Sequence, residues 1–325
     1  QEISAIRRIL GVGRAYAAHA HPDARKHLAN LYDLANKRWG EPPTHMMTSL
    51  AGVGKSDLVN AIPRLLGPAP SVELPGHGAA QVIGGIVVPI GAQTKQVDLL
   101  NAIAKALGEG EPFTSANAEN QRRTRALMFR SGCCFVIADE FQFLTMSTTA
   151  NAQLGKTLGF LRQLGVPLFY VGNFSLGHRL LKRPQEERQR LLSDPIILLP
   201  DLPEEPSYLE LLEACKVIFD GVLAIDPARD APDIHWLTGG QKRCLRLLLC
   251  SAFRIAKDRA KRDRSVLNVT MNDLRNAYDS VAYAANRKDI EECRTLLAGG
   301  KIQKTDLVCP FELSAEQNET QKKLF

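Results

Sequence analysis

Residues 49–56 read Ser49-Leu50-Ala51-Gly52-Val53-Gly54-Lys55-Ser56, and the reading of this stretch decides the fold. Gly52 and Gly54 let the backbone curl so that successive N–H groups face one anion; Lys55 adds a positive charge and Ser56 a hydroxyl where the curl ends. This is the closing half of a phosphate-binding P-loop, whose opening glycine is replaced here by Ser49. His45-Met46-Met47-Thr48 before it reads as a short buried strand and Asp57 to Ile62 after it as helix, the order the motif requires. Pro63 predicts that this helix stops or kinks near Ile62, because proline removes a helical N–H and clashes with the preceding turn. The loop implies ATP with Mg²⁺. Ala51, Gly52, Val53, Gly54, Lys55, Ser56 and Asp57 would form the cradle, Lys55 reaching the terminal phosphates and Ser56 completing the metal shell.

Cys133 to Ala138 is an apolar strand that ends in Asp139-Glu140. Asp139 would hold Mg²⁺, mostly through water, and Glu140 would orient and polarise the water that attacks the γ-phosphate. A buried strand followed by an exposed acidic turn is common in isolation; what separates the two readings is the loop, whose Lys55 lies 84 residues earlier (139 − 55). A third strand, Pro167 to Gly172, ends at Asn173, whose amide could bond the same water; an ordinary turn after glycine is the competing reading. Loose phosphoryl-transfer transition states spread charge over oxygens that a guanidinium can bridge. Arg190, then Arg188, just before the last strand, and Arg243 after Gly239-Gly240 are the candidates, each set against a solvated helix face.

Strands at Met46–Thr48, Ile86–Ile90, Cys133–Ala138, Leu168–Val171 and Ile196–Leu199 alternate with helical stretches, which predicts an α/β fold with a parallel sheet covered by helices. A helix from Pro22 to about Arg38 leads in. Beyond Pro200, Pro203 and Pro206 only helices are expected: Tyr208–Phe219, Lys242–Arg262 and Met271–Ala285. The expected division is 1–40 lead-in helices, 41–205 core, 206–298 helical domain and 299–325 a polar arm.

With 45% hydrophobic and 23% charged residues the chain has the composition of a globular protein, and its net charge of +6 permits an acidic partner without requiring one. Seven cysteines without a paired C-x-x-C spacing argue against a disulfide framework and a zinc ribbon. Cys133 and Cys134 read as small buried hydrophobes. His19 and His21 read as a solvated loop. No apolar run reaches the length of a membrane span, and the first residues lack a signal peptide's core, so a reducing cytoplasm is the expected location, a bacterial one on the resemblance given next.

Ser49 to Ser56, Val136 to Gln142, Asn173, the run Gly177 to Pro195 and the Gly239 to Arg243 segment together resemble the AAA+ ATPases of Tn7-like transposons, of the TnsC/TniB type found in CRISPR-associated elements. The resemblance implies an AAA+ P-loop core followed by a small all-α lid. It makes Asn173 a sensor, Arg243 a second sensor in the lid, and Arg190 or Arg188 a finger that enters a neighbour's site. It also implies a regulator that assembles with ATP into a ring or helical filament, a hexamer or heptamer, around duplex DNA. Transposase subunits and a target-selection protein would be its partners, with no membrane involved. Gln93-Thr94-Lys95 is the positional match to the family's DNA track, with Arg122, Arg123 and Arg125 second and the stretch Arg254 to Arg264 a further surface; phosphate contacts there would be salt-sensitive and sequence-tolerant. Two other readings stay open: a P-loop kinase of a small acceptor, and a nucleotide-gated interaction module with negligible turnover.

Overall fold

The structure is a computed structural model of the 325-residue chain. It describes residues 1–32, 41–74, 76, 78–145, 150–299 and 305–324. The chain forms two compact units, Gln1–Thr48 with Lys55–Ile197, and Ser49–Gly54 with Leu198–Phe325.

In the first unit α1 (Glu2–Ala20) and α2 (Ala24–Tyr32) precede β1 (Thr44–Ser49) and α3 (Lys55–Leu66). A hairpin of β2 (Ser71–Leu74) and β3 (Gly78–Gln81) follows, then β4 (Ile86–Pro89), α4 (Gln96–Ala106), α5 (Ala118–Arg130) and β5 (Val136–Asp139). The unit continues through α6 (Ala150–Arg162), β6 (Leu168–Asn173), α7 (Phe174–Leu181), α8 (Gln185–Leu191) and β7 (Ile196–Ile197). The main sheet has the order β4-β5-β6-β1-β7, with β4–β5, β5–β6 and β1–β7 paired in parallel. The helices between successive strands are the crossovers that parallel pairing demands. This is the α/β class expected from the sequence, a five-stranded sheet of parallel pairs with helices between its strands.

Strands β5 and β6 lie inside the sheet and are covered on both faces, which is why Phe135 to Ala138 and Leu168 to Val171 are apolar without alternation and fully buried. Helix α1 presents Ala5, Ile9 and Gly13 at helical spacing to the interior. At Gly13 a Cβ would come within 2.6 Å of the Phe135 ring, so only glycine admits this approach of helix to sheet.

Several expectations are corrected. Pro63 does not end its helix: α3 runs through it to Leu66, because the one N–H that proline lacks is lost only in the final turns. The lead-in helix does not start at Pro22. Asp23 caps α2 by accepting the Lys26 N–H at 2.7 Å, and residues 33–38 of the expected helix lie outside the described residues. His19 and His21 are not in a solvated loop: His19 is in the last turn of α1, and His21 packs against the Phe129 ring with His27 beside it. The β2–β3 hairpin had no counterpart among the expected elements, whereas α1 falls within the lead-in helices expected over 1–40.

The second unit holds α9 (Pro206–Ile218), α10 (Pro227–Thr238), α11 (Lys242–Asp263), α12 (Met271–Asp279), α13 (Ala284–Leu297) and α14 (Ala315–Lys323). Its core gathers Tyr208, Leu212, Ile234, Leu248, Leu249, Ala252, Leu274 and Tyr283. The helix expected over Met271–Ala285 is two, broken at Ser280, which is extended at φ −68°, ψ 153°. Helix α10 escaped the sequence reading because Pro232 sits inside it. The arm after Gly299 is not featureless: Ser314 and Gln317 form a reciprocal capping box that starts α14.

Candidate nucleotide site

Within the first unit, α3 begins at Lys55 and β5 ends at Asp139, which brings four side chains together. The Ser56 hydroxyl donates to Glu140 Oε1 at 3.2 Å, and the Glu140 N–H donates to Asp139 Oδ1 at 2.8 Å. Lys55 and Asp139 are both buried, at 8% exposure. Burial pushes the Asp139 carboxyl above its ordinary value; the Glu140 N–H and the Ser56 hydroxyl pull it back, as does the Lys55 charge, while the Glu140 charge adds to the rise. A carboxylate, a second carboxylate and a hydroxyl held at the end of a buried strand beside a lysine are a hard-oxygen donor set suited to Mg²⁺ on a polyphosphate.

Glu140 is one of the few non-glycine residues with a left-handed backbone, at φ +62°. Such a conformation costs about 1–3 kcal/mol and is retained where the surroundings over-determine it. Here the determinants are visible: Ser56 holds one carboxylate oxygen and the Gln142 side-chain amide donates to the other. Gln142 in turn lies against β6, where a Cβ on Gly172 would come 3.5 Å from its Oε1. The next residue, Asn173, is half-buried at the end of β6 and precedes α7 without a side-chain capping bond, so its amide is not spent on the turn. Sequence reading included Gln142 in its motif but gave it no role; its spacing of two from Glu140 was the only signal.

The arginines of the first unit differ in how they are held. Arg190 pairs with Glu186 at 2.9 Å and approaches Glu41 at 3.9 Å. Arg183 pairs with Glu187 and rests on Gly155 of α6, where a Cβ would lie 2.7 Å from its Nη1. Arg188 is exposed, with no ion pair among the described residues. The expected DNA positions are also here. Thr94 accepts the Gly91 N–H through its hydroxyl at 2.7 Å, and Lys95 opens α4, its N–H bonded to Asp98 at 2.8 Å and its side chain exposed. Arg122 pairs with Glu119 at 3.4 Å, and Arg123 with Glu109 at 2.9 Å while lying over the Phe113 ring. Arg125 is half-buried, and burial followed by the neighbouring Arg122 charge lowers its pKa.

Within the second unit the P-loop stretch Ser49–Gly54 meets the start of α11. The Arg243 N–H donates to the Gly52 carbonyl at 3.1 Å. Gly52 has φ +84° and Gly54 φ +119°, and a Cβ on Gly52 would stand 2.8 Å from that of Arg243. Ser49 ends β1 with a negative φ, fully buried, its hydroxyl donating to the Leu50 carbonyl at 2.6 Å. No left-handed backbone is needed at that position, which explains how serine replaces the motif's opening glycine. Val53 is buried, whereas Ala51 and Asp57 are exposed.

All seven cysteines are free, and burial pushes the Cys133 thiol up to about 12, so it is inert packing. Among the described residues no group of three or more His, Cys, Asp or Glu side chains is placed to hold a metal, and no helix is long and apolar enough to cross a membrane.

No protein-family model matches the chain, and no curated protein matches it. Among solved structures it is similar to the ORC1 protein of Aeropyrum pernix in complex with DNA, at 19% identity and a TM-score of 0.45, over 86% of this chain and 68% of that one. It is also similar to Cdc6p from Pyrobaculum aerophilum, at 16% identity and a TM-score of 0.43, over 78% of this chain and 66% of that one. The chain thus spans about two thirds of each of these proteins.

Proposed function

We propose that this chain is an ATP-hydrolysing AAA+ regulator of DNA transposition that assembles with ATP on duplex DNA, links a target-selection protein to the transposase, and disassembles on hydrolysis. The observation that carries the ATPase part is the meeting of Lys55 and Ser56 with Asp139 and Glu140, residues 84 apart in sequence at the Ser56 to Glu140 hydrogen bond. The narrower transposition reading is supported by the resemblance of the Gly177 to Pro195 run and the Gly239 to Arg243 segment.

Lys55, Ser56 and Asp139 would hold the phosphates and Mg²⁺, with Ala51 to Gly54 supplying N–H groups and Asp57 following on the first turn of α3. Bound Mg²⁺ neutralises charge developing on the phosphate oxygens. Glu140 orients the attacking water and takes up its proton at a carboxylate oxygen, and Asn173 adds a hydrogen bond to the same water. Arg190 or Arg188 would complete a neighbour's site. Both are exposed; Arg190 must leave Glu186 to do so, whereas Arg188 has no ion pair to break among the described residues. Arg243 would serve the chain's own site.

The test is size-exclusion chromatography and negative-stain imaging with ATP or a non-hydrolysable analogue, with and without duplex DNA. Nucleotide-dependent rings or filaments on the duplex are expected; a monomer under every condition overturns the proposal. A kinase would instead consume ATP only with an acceptor present. Gln142→Leu is expected to lower kcat about tenfold while ATP affinity stays within about twofold, since a supporting hydrogen bond to a reacting carboxylate is worth roughly that much. In a Glu140→Gln background the same change should cost almost nothing further, because both substitutions remove one function.

A further inference from the structure

Helix α11 lines one exposed face with cations. Taking 100° per residue around Cys250, the exposed side chains of Arg246, Arg254, Lys257, Lys261 and Arg264 fall within about 40° of a single line. No acidic residue shares that stripe: Asp258 sits at its margin and Asp263 on the far side. Among the described residues none of these five makes an ion pair. Arg259, on another face of the same helix, does pair, with Asp273 at 3.0 Å. Like charges three and four residues apart destabilise a helix by about 0.2–0.5 kcal/mol per pair, and successive turns here repeat the arrangement. The face opposite is committed to the interior through Leu245, Leu248, Leu249, Ala252 and Ala256.

We infer that this ridge is a docking surface for the phosphate backbone of duplex DNA. From Arg246 to Arg264 it extends about 27 Å, about three quarters of a turn of the double helix, its cations three or four residues apart except for the wider gap between Arg246 and Arg254. A polyanion of uniform charge density suits such a straight, unneutralised line, and contacts made by exposed lysine and arginine ends fix position without reading bases. A lipid surface does not suit it. The apolar face of α11 is buried in the core, and Leu247, at 39% exposure, is the only large apolar side chain on the outer side. This inference rests on the DNA partner of the proposed function but not on its ATPase chemistry, and it assigns the contact to residues of the helical unit instead of Thr94, Lys95, Arg122 and Arg123.

The experiment measures anisotropy of a labelled 30-base-pair duplex (about three helical turns) against salt for wild type, Arg254→Ala/Lys257→Ala/Lys261→Ala and Lys95→Ala/Arg122→Ala. The ridge variant is expected to lose at least about tenfold in affinity near 0.1 M salt and to flatten the log–log salt slope by about 2.7, roughly 0.9 per lost phosphate contact. The replaced side chains face solvent, and unchanged circular dichroism and melting show that the loss is not one of folding. Cross-linking of the duplex from the exposed Cys250 supplies a second readout that needs no substitution. An unchanged slope in the ridge variant, with binding lost in the Lys95/Arg122 variant, overturns this inference and leaves the proposed function standing. Binding of polyglutamate, but not duplex, lost with the ridge overturns it in favour of an acidic protein. No duplex binding by wild type at any salt overturns both.

Discussion

Glu140→Gln is expected to lower ATP turnover by about 10²- to 10⁴-fold, the range for loss of a positioned general base, while nucleotide affinity stays near that of wild type. Glutamine keeps the side chain's length and can still accept the Ser56 hydroxyl; its NH2 replaces the oxygen that the Gln142 amide donates to, so the second anchor is kept only if Gln142 turns its own oxygen to that NH2. What it loses is the capacity to take a proton from water. Lys55, Ser56 and Asp139 are untouched, so an ATP-dependent assembly should form and persist. Single-turnover hydrolysis and the lifetime of the assembly on duplex DNA measure the two halves separately. A variant that hydrolyses at the wild-type rate, or one that assembles no longer than wild type, removes Glu140 from the role of base.

Gly52→Ala is expected to disable the loop from the opposite direction, through backbone and packing. Alanine at φ +84° costs about 1–2 kcal/mol, and its Cβ would stand 2.8 Å from the Arg243 Cβ, where overpacking adds about 1–3 kcal/mol. The strain can be relieved only by moving the loop or the start of α11, and either breaks the hydrogen bond from the Arg243 N–H to the Gly52 carbonyl. ATP affinity should fall by at least about a hundredfold, each 1.4 kcal/mol being a factor of ten, and the melting temperature should fall with it. Adding Arg243→Gly removes the colliding Cβ, so the double variant should recover the steric part of the loss in melting temperature but not the part due to φ, while its ATP affinity stays low because Arg243 itself is lost from the site. If Gly52→Ala binds ATP normally, the loop does not need the conformation seen here.

The sheet was legible because its strands carry a simple signal. Val136–Asp139 and Leu168–Asn173 are continuous apolar runs that end in polar residues, and a run buried on both faces admits little else. Strand boundaries were less legible: the run Ile196–Leu199 contributes only Ile196–Ile197 to the sheet, because an apolar residue can be buried without a partner strand. Helix α10 and the path of α3 beyond Ile62 were obscured by prolines, whose cost is a preference that packing can outweigh. Helix α14 lacks an apolar face, so periodicity could not announce it; the Ser314 and Gln317 box could have.

The sequence by itself determined the chemistry available: a glycine-lysine-serine loop, a strand ending in two carboxylates, an amide after a third strand, and helices beyond residue 205. These follow from residue type and local spacing, which are properties of a few adjacent positions. Only the tertiary structure decided that Ser56 and Gln142 hold the two oxygens of a strained Glu140 and that serine is tolerated at position 49. It also decided that, among the described residues, Arg190 is paired where Arg188 is not, and that the cations of the α11 ridge have no ion-pair partner. Each of those depends on which distant groups are brought within about 3 Å, or kept from it, and a hydrogen bond or ion pair is decided at that range.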